Sequence, residues 1–177
     1  MMEIYLVRHT SVEVPRGTAY GQTDVSLRDT FPEEAEKVKQ QLAGLTFDRV
    51  YTSPLSRCVR LATYCGYPDA TPDNRLRELH FGDWEMKTWD EIQTDTRSQT
   101  WWNDWINTPT PGGESFRQEY DRLADFLEEI RRQDAQRICL FTHGGILSAA
   151  RIYTGDIPFS EAFRQVLPYG TVLRIQI

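Results

Sequence analysis

Ile4-Tyr5-Leu6-Val7-Arg8-His9-Thr10 is a short run of strand formers that ends abruptly in a cation and an imidazole. Its brevity and its β-branched and aromatic content read as a buried strand rather than a helix. The same design returns twice. Arg49-Val50-Tyr51 leads into Thr52-Ser53-Pro54, with Arg57 close behind. Ile138-Cys139-Leu140-Phe141 leads into Thr142-His143-Gly144-Gly145. A fourth apolar run covers Val172 to Ile177.

Helical patterns lie between these runs. Thr30-x-x-Glu33 reads as a capping box that opens a helix to about Leu42, with Ala35, Val38 and Leu42 on one face. Ser53 reads as the cap of the next helix, with Pro54 in its first position and Leu55, Cys58, Val59 and Ala62 on its apolar side. Ser115-x-x-Gln118 opens the clearest amphipathic helix, whose stripe is Phe116, Tyr120, Leu123, Leu127 and Ile130. A last helix is expected from Ile146 to about Tyr153. Alternating strands and helices predict an α/β fold, a three-layer α/β/α sandwich about a mainly parallel central sheet. The length suits one domain over residues 1–177. Within it, segment 82–113 is a candidate lid. It holds all five tryptophans and ends in Pro109-Thr110-Pro111-Gly112-Gly113.

In parallel α/β sheets, ligands bind beyond the carboxyl ends of the strands. If the three runs are parallel neighbours, Arg8, His9, Arg57 and His143 converge on one mouth. Helix N-termini expected after Ser53 and Gly144 add backbone N–H groups and positive dipole ends. Arg57 in a first helical turn opposes its own helix dipole, which marks it as placed for a ligand. Together these features predict an anion site with two histidines in it. An arginine fork makes bidentate bonds to phosphate oxygens.

The formal net charge of −6 excludes a general polyanion surface, so no nucleic-acid partner is expected. No stretch approaches the roughly 20 apolar residues of a membrane span. The three cysteines, Cys58, Cys65 and Cys139, lie among apolar neighbours without C-x-x-C spacing. They read as reduced structural residues of a cytoplasmic protein. No cysteine opens a C-x5-R loop, and no D-x-D or Gly-Lys-Ser/Thr motif occurs. Three histidines are too few for a clustered two-metal site, so neither metal nor organic cofactor is expected.

At these residues the sequence resembles the histidine phosphatase superfamily, the phosphoglycerate mutase-like proteins. Leu6-Val7-Arg8-His9-Thr10 is similar to that family's opening motif, with Thr10 in place of its Gly. Tyr51 to Arg57, Leu76 to Glu85 and Thr142 to Gly145 resemble the motifs that follow, in the family's order. Met86 stands where the family usually has Gly, and Cys58 and Leu61 stand where it commonly has Ala and Thr. Tyr20 to Leu27 and Pro111 to Ser115 resemble the α-ribazole phosphatase branch of the family.

The resemblance implies a phosphatase acting on a small phosphate ester, with His9 as nucleophile. It implies that Arg8, Arg57 and His143 hold the phosphoryl oxygens and that Glu78 is the proton donor. Thr10, Gln22, Ser53 and Gly144 are further candidate phosphate or substrate contacts. The α-ribazole branch implies α-ribazole 5′-phosphate as substrate. A broader sugar-phosphate or nucleotide phosphatase, a cofactor-dependent phosphoglycerate mutase and a silent phospho-ligand binding module stay open as alternatives. The oligomeric state is not written in these residues.

Overall fold

The computed structural model describes residues 1–177. Its strands are β1 (Glu3–Arg8), β2 (Arg49–Thr52), β3 (Thr71–Pro72), β4 (Arg137–Thr142) and β5 (Val172–Gln176). They form one sheet in the order β3-β2-β4-β1-β5. The first four strands are parallel, and β5 runs antiparallel to β1 at the edge. The helices are α1 (Phe31–Gln41), α2 (Ser56–Tyr64), α3 (Trp89–Gln93), α4 (Ser98–Asn103), α5 (Phe116–Ile130) and α6 (Gly144–Tyr153).

Strand alternation builds the three layers. Ile4 and Leu6 of β1, with Ile138 and Leu140 of β4, point to the side covered by α5 and α6. Val7, Cys139 and Phe141 point to the other side, against α1 and α2. β4 is central and covered on both faces, which is why its run is apolar without alternation. Each fully buried leucine or isoleucine here contributes about 1.5–3 kcal/mol. A third, smaller core gathers Leu79, Phe81, Trp84, Ile92 and Trp101 from the segment between β3 and α5. That segment therefore carries its own packed interior.

Register brings the strand ends together. Arg8 pairs with Thr142 across the β1–β4 ladder, so His9 and His143 follow side by side. The His9 N–H donates to the Thr142 carbonyl at 3.1 Å, and the Ser53 N–H donates to the Phe141 carbonyl at 2.8 Å.

Several local expectations are corrected. α2 begins at Ser56, not after Ser53. The Ser53 hydroxyl accepts from the Leu55 N–H at 3.3 Å and also meets His143, while Asp24 Oδ1 reaches in to accept from the Ser56 N–H at 3.0 Å. A distant carboxylate thus takes the place of a local cap. Val59 lies exposed, and Leu61 occupies the buried face with Cys58 and Ala62. The Thr30 capping box does not close, because its hydroxyl donates to Glu34 Oε2, which also holds Ser11. α6 starts two residues early, at Gly144, since glycine there lets the helix begin directly beneath Arg8. β3 is too short to show in the sequence. The Ser115–Gln118 capping box forms as expected. Met86, at the position where glycine is usual, has φ 64° in the left-handed region.

Candidate active site

His9 closes β1 in a fully buried position. Its Nδ1 lies 2.7 Å from the Thr10 carbonyl, which can only accept, so Nδ1 carries the proton and Nε2 keeps a lone pair. Burial, then the Arg57 and Arg8 guanidinium charges, hold the imidazole well below the ordinary histidine range. It is a neutral histidine at pH 7. His143 lies beside it, ring centroids 5.2 Å apart and edge to face, and the same causes depress it. His143 Nε2 is 2.8 Å from the Ser53 hydroxyl. The Cys58 thiol sits behind it, bonded to the Thr142 carbonyl, and burial pushes that thiol up to about 12. Cys58 is therefore an inert wall. All three cysteines are free.

Two arginines flank the histidines. Arg57 is fully buried and donates through Nη1 to the Thr23 carbonyl at 2.9 Å and through Nη2 to the Gly21 carbonyl. Arg8 donates to the Leu167 carbonyl at 2.6 Å and stacks over Tyr169, 4.1 Å from its centroid. Each arginine keeps a buried Nε–H with no protein partner, and the Thr10 hydroxyl is likewise buried and unpartnered. An unmade bond to a buried donor costs about 1–3 kcal/mol. Three such donors around neutral His9 form a cradle that a tetrahedral oxyanion would satisfy. Gly144 lets Arg8 pack closely, since a Cβ there would lie 3.0 Å from Arg8 Nε.

Glu78, on the loop after β3, lines a cleft that meets this cluster at Arg8 and Gly144, while His9, Arg57 and His143 are fully buried and do not line it. The cleft holds about 180 Å³ and is lined by Arg8, Tyr20, Glu78, Phe163 and Tyr169, among others. Glu78 accepts from the Leu79 N–H at 3.0 Å and from the Gly145 N–H at 3.2 Å. Glu85, the neighbouring carboxylate, has a different task. It accepts from the N–H groups of Gly21, Gln22 and Phe81 and from the Thr23 hydroxyl, clamping the loop that holds Arg57. Gln22 supports the same loop by donating to the Glu78 carbonyl at 3.2 Å. The third histidine, His80, also does not line the cleft, and its Nδ1 accepts from the Gly82 N–H at 2.8 Å.

Two features were absent from the sequence reading. Glu119 of α5 is fully buried beside Glu78. Its signal was a charge three residues after Phe116 and four before Leu123, in the middle of the apolar stripe. Tyr169 and Phe163, from the chain between α6 and β5, carried no comparable pattern. Phe81 and Phe163 also line a second, apolar hollow of about 430 Å³ with Trp89, Trp101 and Trp102. A depression of about 650 Å³ at the amino-terminal edge of the sheet, lined by Glu3, Asp48 and Arg137, lies far from the histidines.

The family model for the histidine phosphatase superfamily (branch 1) matches residues 4–177. The chain belongs to the histidine phosphatase superfamily. Among its relatives is the adenosylcobalamin/alpha-ribazole phosphatase of Escherichia coli K12. That enzyme is 30% identical over 83% of this chain and 76% of its own length. Phosphoglycerate mutase-like protein 4 of Arabidopsis thaliana is 31% identical over 93% of this chain and 75% of its own. The crystal structure of TTHB049 from Thermus thermophilus superposes with a TM-score of 0.78 at 30% identity, covering 98% of this chain and 93% of that one. The protein is thus a phosphatase of the phosphoglycerate mutase-like α/β fold, and its family implies a small phosphate-ester substrate. No helix is long and apolar enough to cross a membrane.

Proposed function

We propose that this phosphatase works through a phosphohistidine at His9 and that α-ribazole 5′-phosphate is its substrate, in the nucleotide-loop branch of cobalamin synthesis. The observation that carries the chemistry is neutral His9, its Nδ1–H tied to Thr10, between two arginines with unpartnered buried Nε–H groups. The His9 Nε2 lone pair attacks phosphorus, forming an N–P bond as the ester P–O bond breaks. Arg8, Arg57, His143 and Thr10 spread the charge on the non-bridging oxygens, so that positioning and electrostatics supply most of the rate. Ser53 orients His143, and the Gly144 backbone admits Arg8. Glu78 gives a proton to the departing oxygen, then takes one from the water that hydrolyses the phosphohistidine. Inorganic phosphate leaves, and His9 returns to its starting form.

The substrate assignment rests on two supports. A relative at 30% identity is named for α-ribazole. The apolar hollow beside the cleft shares Phe81 and Phe163 with it, and its tryptophan walls suit a flat aromatic base. The test is kcat/KM for α-ribazole 5′-phosphate, with EDTA present, against sugar phosphates, nucleotides and 3-phosphoglycerate. We expect a preference of about a hundredfold, or roughly 2.7 kcal/mol of differential transition-state binding. Even activity across the panel would discard the narrow substrate and keep the mechanism. Turnover of 3-phosphoglycerate that requires a bisphosphate activator would replace the hydrolase with a mutase. No phosphohistidine after acid-free quenching would remove the mechanism.

A further inference from the structure

Glu119 is a buried ionisable group at the cleft that the mechanism above leaves without a task. It sits in the first turns of α5, fully buried, and no N–H or hydroxyl of the protein reaches either of its carboxyl oxygens. The charged groups facing it are Glu78 from the loop after β3, Glu114 from the loop before α5 and Arg122 from its own helix. Arg122 is committed elsewhere. It donates to the carbonyls of Arg75, Arg77 and Glu78 and forms an ion pair with Glu114 at 2.6 Å. From α6, only glycine faces the site. A Cβ on Gly145 would lie 2.2 Å from Glu78 Oε1 and 2.6 Å from Glu119 Oε1. Two carboxyl groups thus meet over one glycine. Glu78 has two backbone donors and looks toward Arg8 and Tyr20 across the cleft. Glu119 has no donor at all.

Two carboxyl groups in contact, one of them fully buried and the other half-buried, resist ionising together, and the proton that remains belongs to the pair. Burial first, and then the Glu78 charge, push the Glu119 carboxyl well above its ordinary value. We propose that Glu119 is a positioning residue for Glu78: the two side chains share one proton, and that proton is the one Glu78 delivers to the departing oxygen. This rests on the reading of Glu78 as the acid. When the ester P–O bond breaks, the leaving oxygen takes the shared proton and the pair is left doubly ionised. The water that attacks the phosphohistidine returns one proton to the pair, so the cycle closes with no proton gained or lost.

Glu119→Gln tests this, because its amide keeps the shape, holds no titrating proton and donates permanently to Glu78. The probes are β-glycerophosphate, a poor leaving group, and 4-nitrophenyl phosphate, a good one. For β-glycerophosphate, the basic limb of the kcat/KM–pH profile moves at least one pH unit toward acid. At pH 8 that is a loss of about tenfold or more, while 4-nitrophenyl phosphate changes less than twofold. A basic limb that stays in place would overturn the shared proton, as would equal losses on both probes at every pH. Infrared difference spectra of wild type minus Glu119→Gln at pH 7 give a readout without turnover. They show a protonated-carboxyl C=O band, and its absence would also overturn the proposal. Glu78→Gln separates this idea from the one beneath it. If that variant injures both probes alike, the acid assignment falls. If it spares 4-nitrophenyl phosphate while Glu119→Gln changes nothing, only the shared proton falls.

Discussion

The cationic half of the site hangs from strand ends, with Arg57 added from α2, whereas its acidic half is assembled from a loop and a helix. Arg8 ends β1, His9 follows it, and Ser53 and His143 directly follow β2 and β4. Their spacing is set by hydrogen-bonded register, so the sheet that holds the fold together also holds the proposed phosphate site. Glu78 and Glu119 have no such frame. They meet because Arg122 ties the 75–78 backbone to α5 through three carbonyls, and because Gly145 leaves room for two carboxyl groups. The proposed binding and charge stabilisation are therefore placed mainly on the hydrogen-bonded sheet. Proton transfer depends on tertiary contacts that a single side chain can disturb.

The largest expected effect lies in the cationic half. In the proposed mechanism His9→Ala removes the atom that would form the N–P bond, so kcat is expected to fall roughly 10⁴-fold or more while the fold is kept. Steady-state turnover and a melting curve on the same sample check both parts. Residual activity within tenfold of wild type would remove His9 as nucleophile.

The two adjacent glycines sharpen the comparison, because each belongs to one half. A methyl group on Gly145 collides with Glu78 Oε1 at 2.2 Å and with Glu119 Oε1 at 2.6 Å. A displaced acid costs about 10²-fold in kcat on an alkyl phosphate, as misplacement by about 1 Å generally does. A methyl group on Gly144 meets Arg8 Nε at 3.0 Å and Val166 Cγ1 at 3.1 Å. Both of those side chains can yield by a few tenths of an ångström. Gly144→Ala therefore changes KM more than kcat, by less than tenfold. Equal kcat losses from the two variants would erase the distinction between the halves.

The same division explains what could be read from the sequence. A parallel strand announces itself by an apolar run, and its carboxyl end is the next residue. Arg8, His9 and His143 were therefore legible as a cluster before any fold was known. Arg57 was legible because its charge sits where a helix dipole repels it. Glu78 was visible only through family resemblance, since a loop glutamate between Arg77 and Leu79 has no periodicity to interpret. The bond from Ser53 to His143 has no local signal for a related reason. Local capping rules could not anticipate that Asp24, 32 residues away, would hold the start of α2. Glu119 had a local signal, a carboxylate on the buried stripe of α5. Its meaning required the partner that the loop brings to it.

The smallest effect is thermodynamic, and it isolates the acidic half without any substrate. The folded state binds a proton at Glu119 above the ordinary value of 4.5, where the unfolded chain has released it. With more protons bound in the native state, stability falls as pH rises, by about 1.4 kcal/mol per pH unit for one proton. His9 and His143 act in the opposite direction. They are held neutral when folded, so stability falls as pH drops below about 6.5, where only the unfolded chain takes up protons. Glu119→Gln removes the first contribution and leaves the second. Urea unfolding from pH 4.5 to 8 should show the variant gaining on wild type as pH increases, with the difference smallest at the acid end. A constant difference across that range would mean that Glu119 is charged in the folded protein. The acidic half would then need another source for its proton.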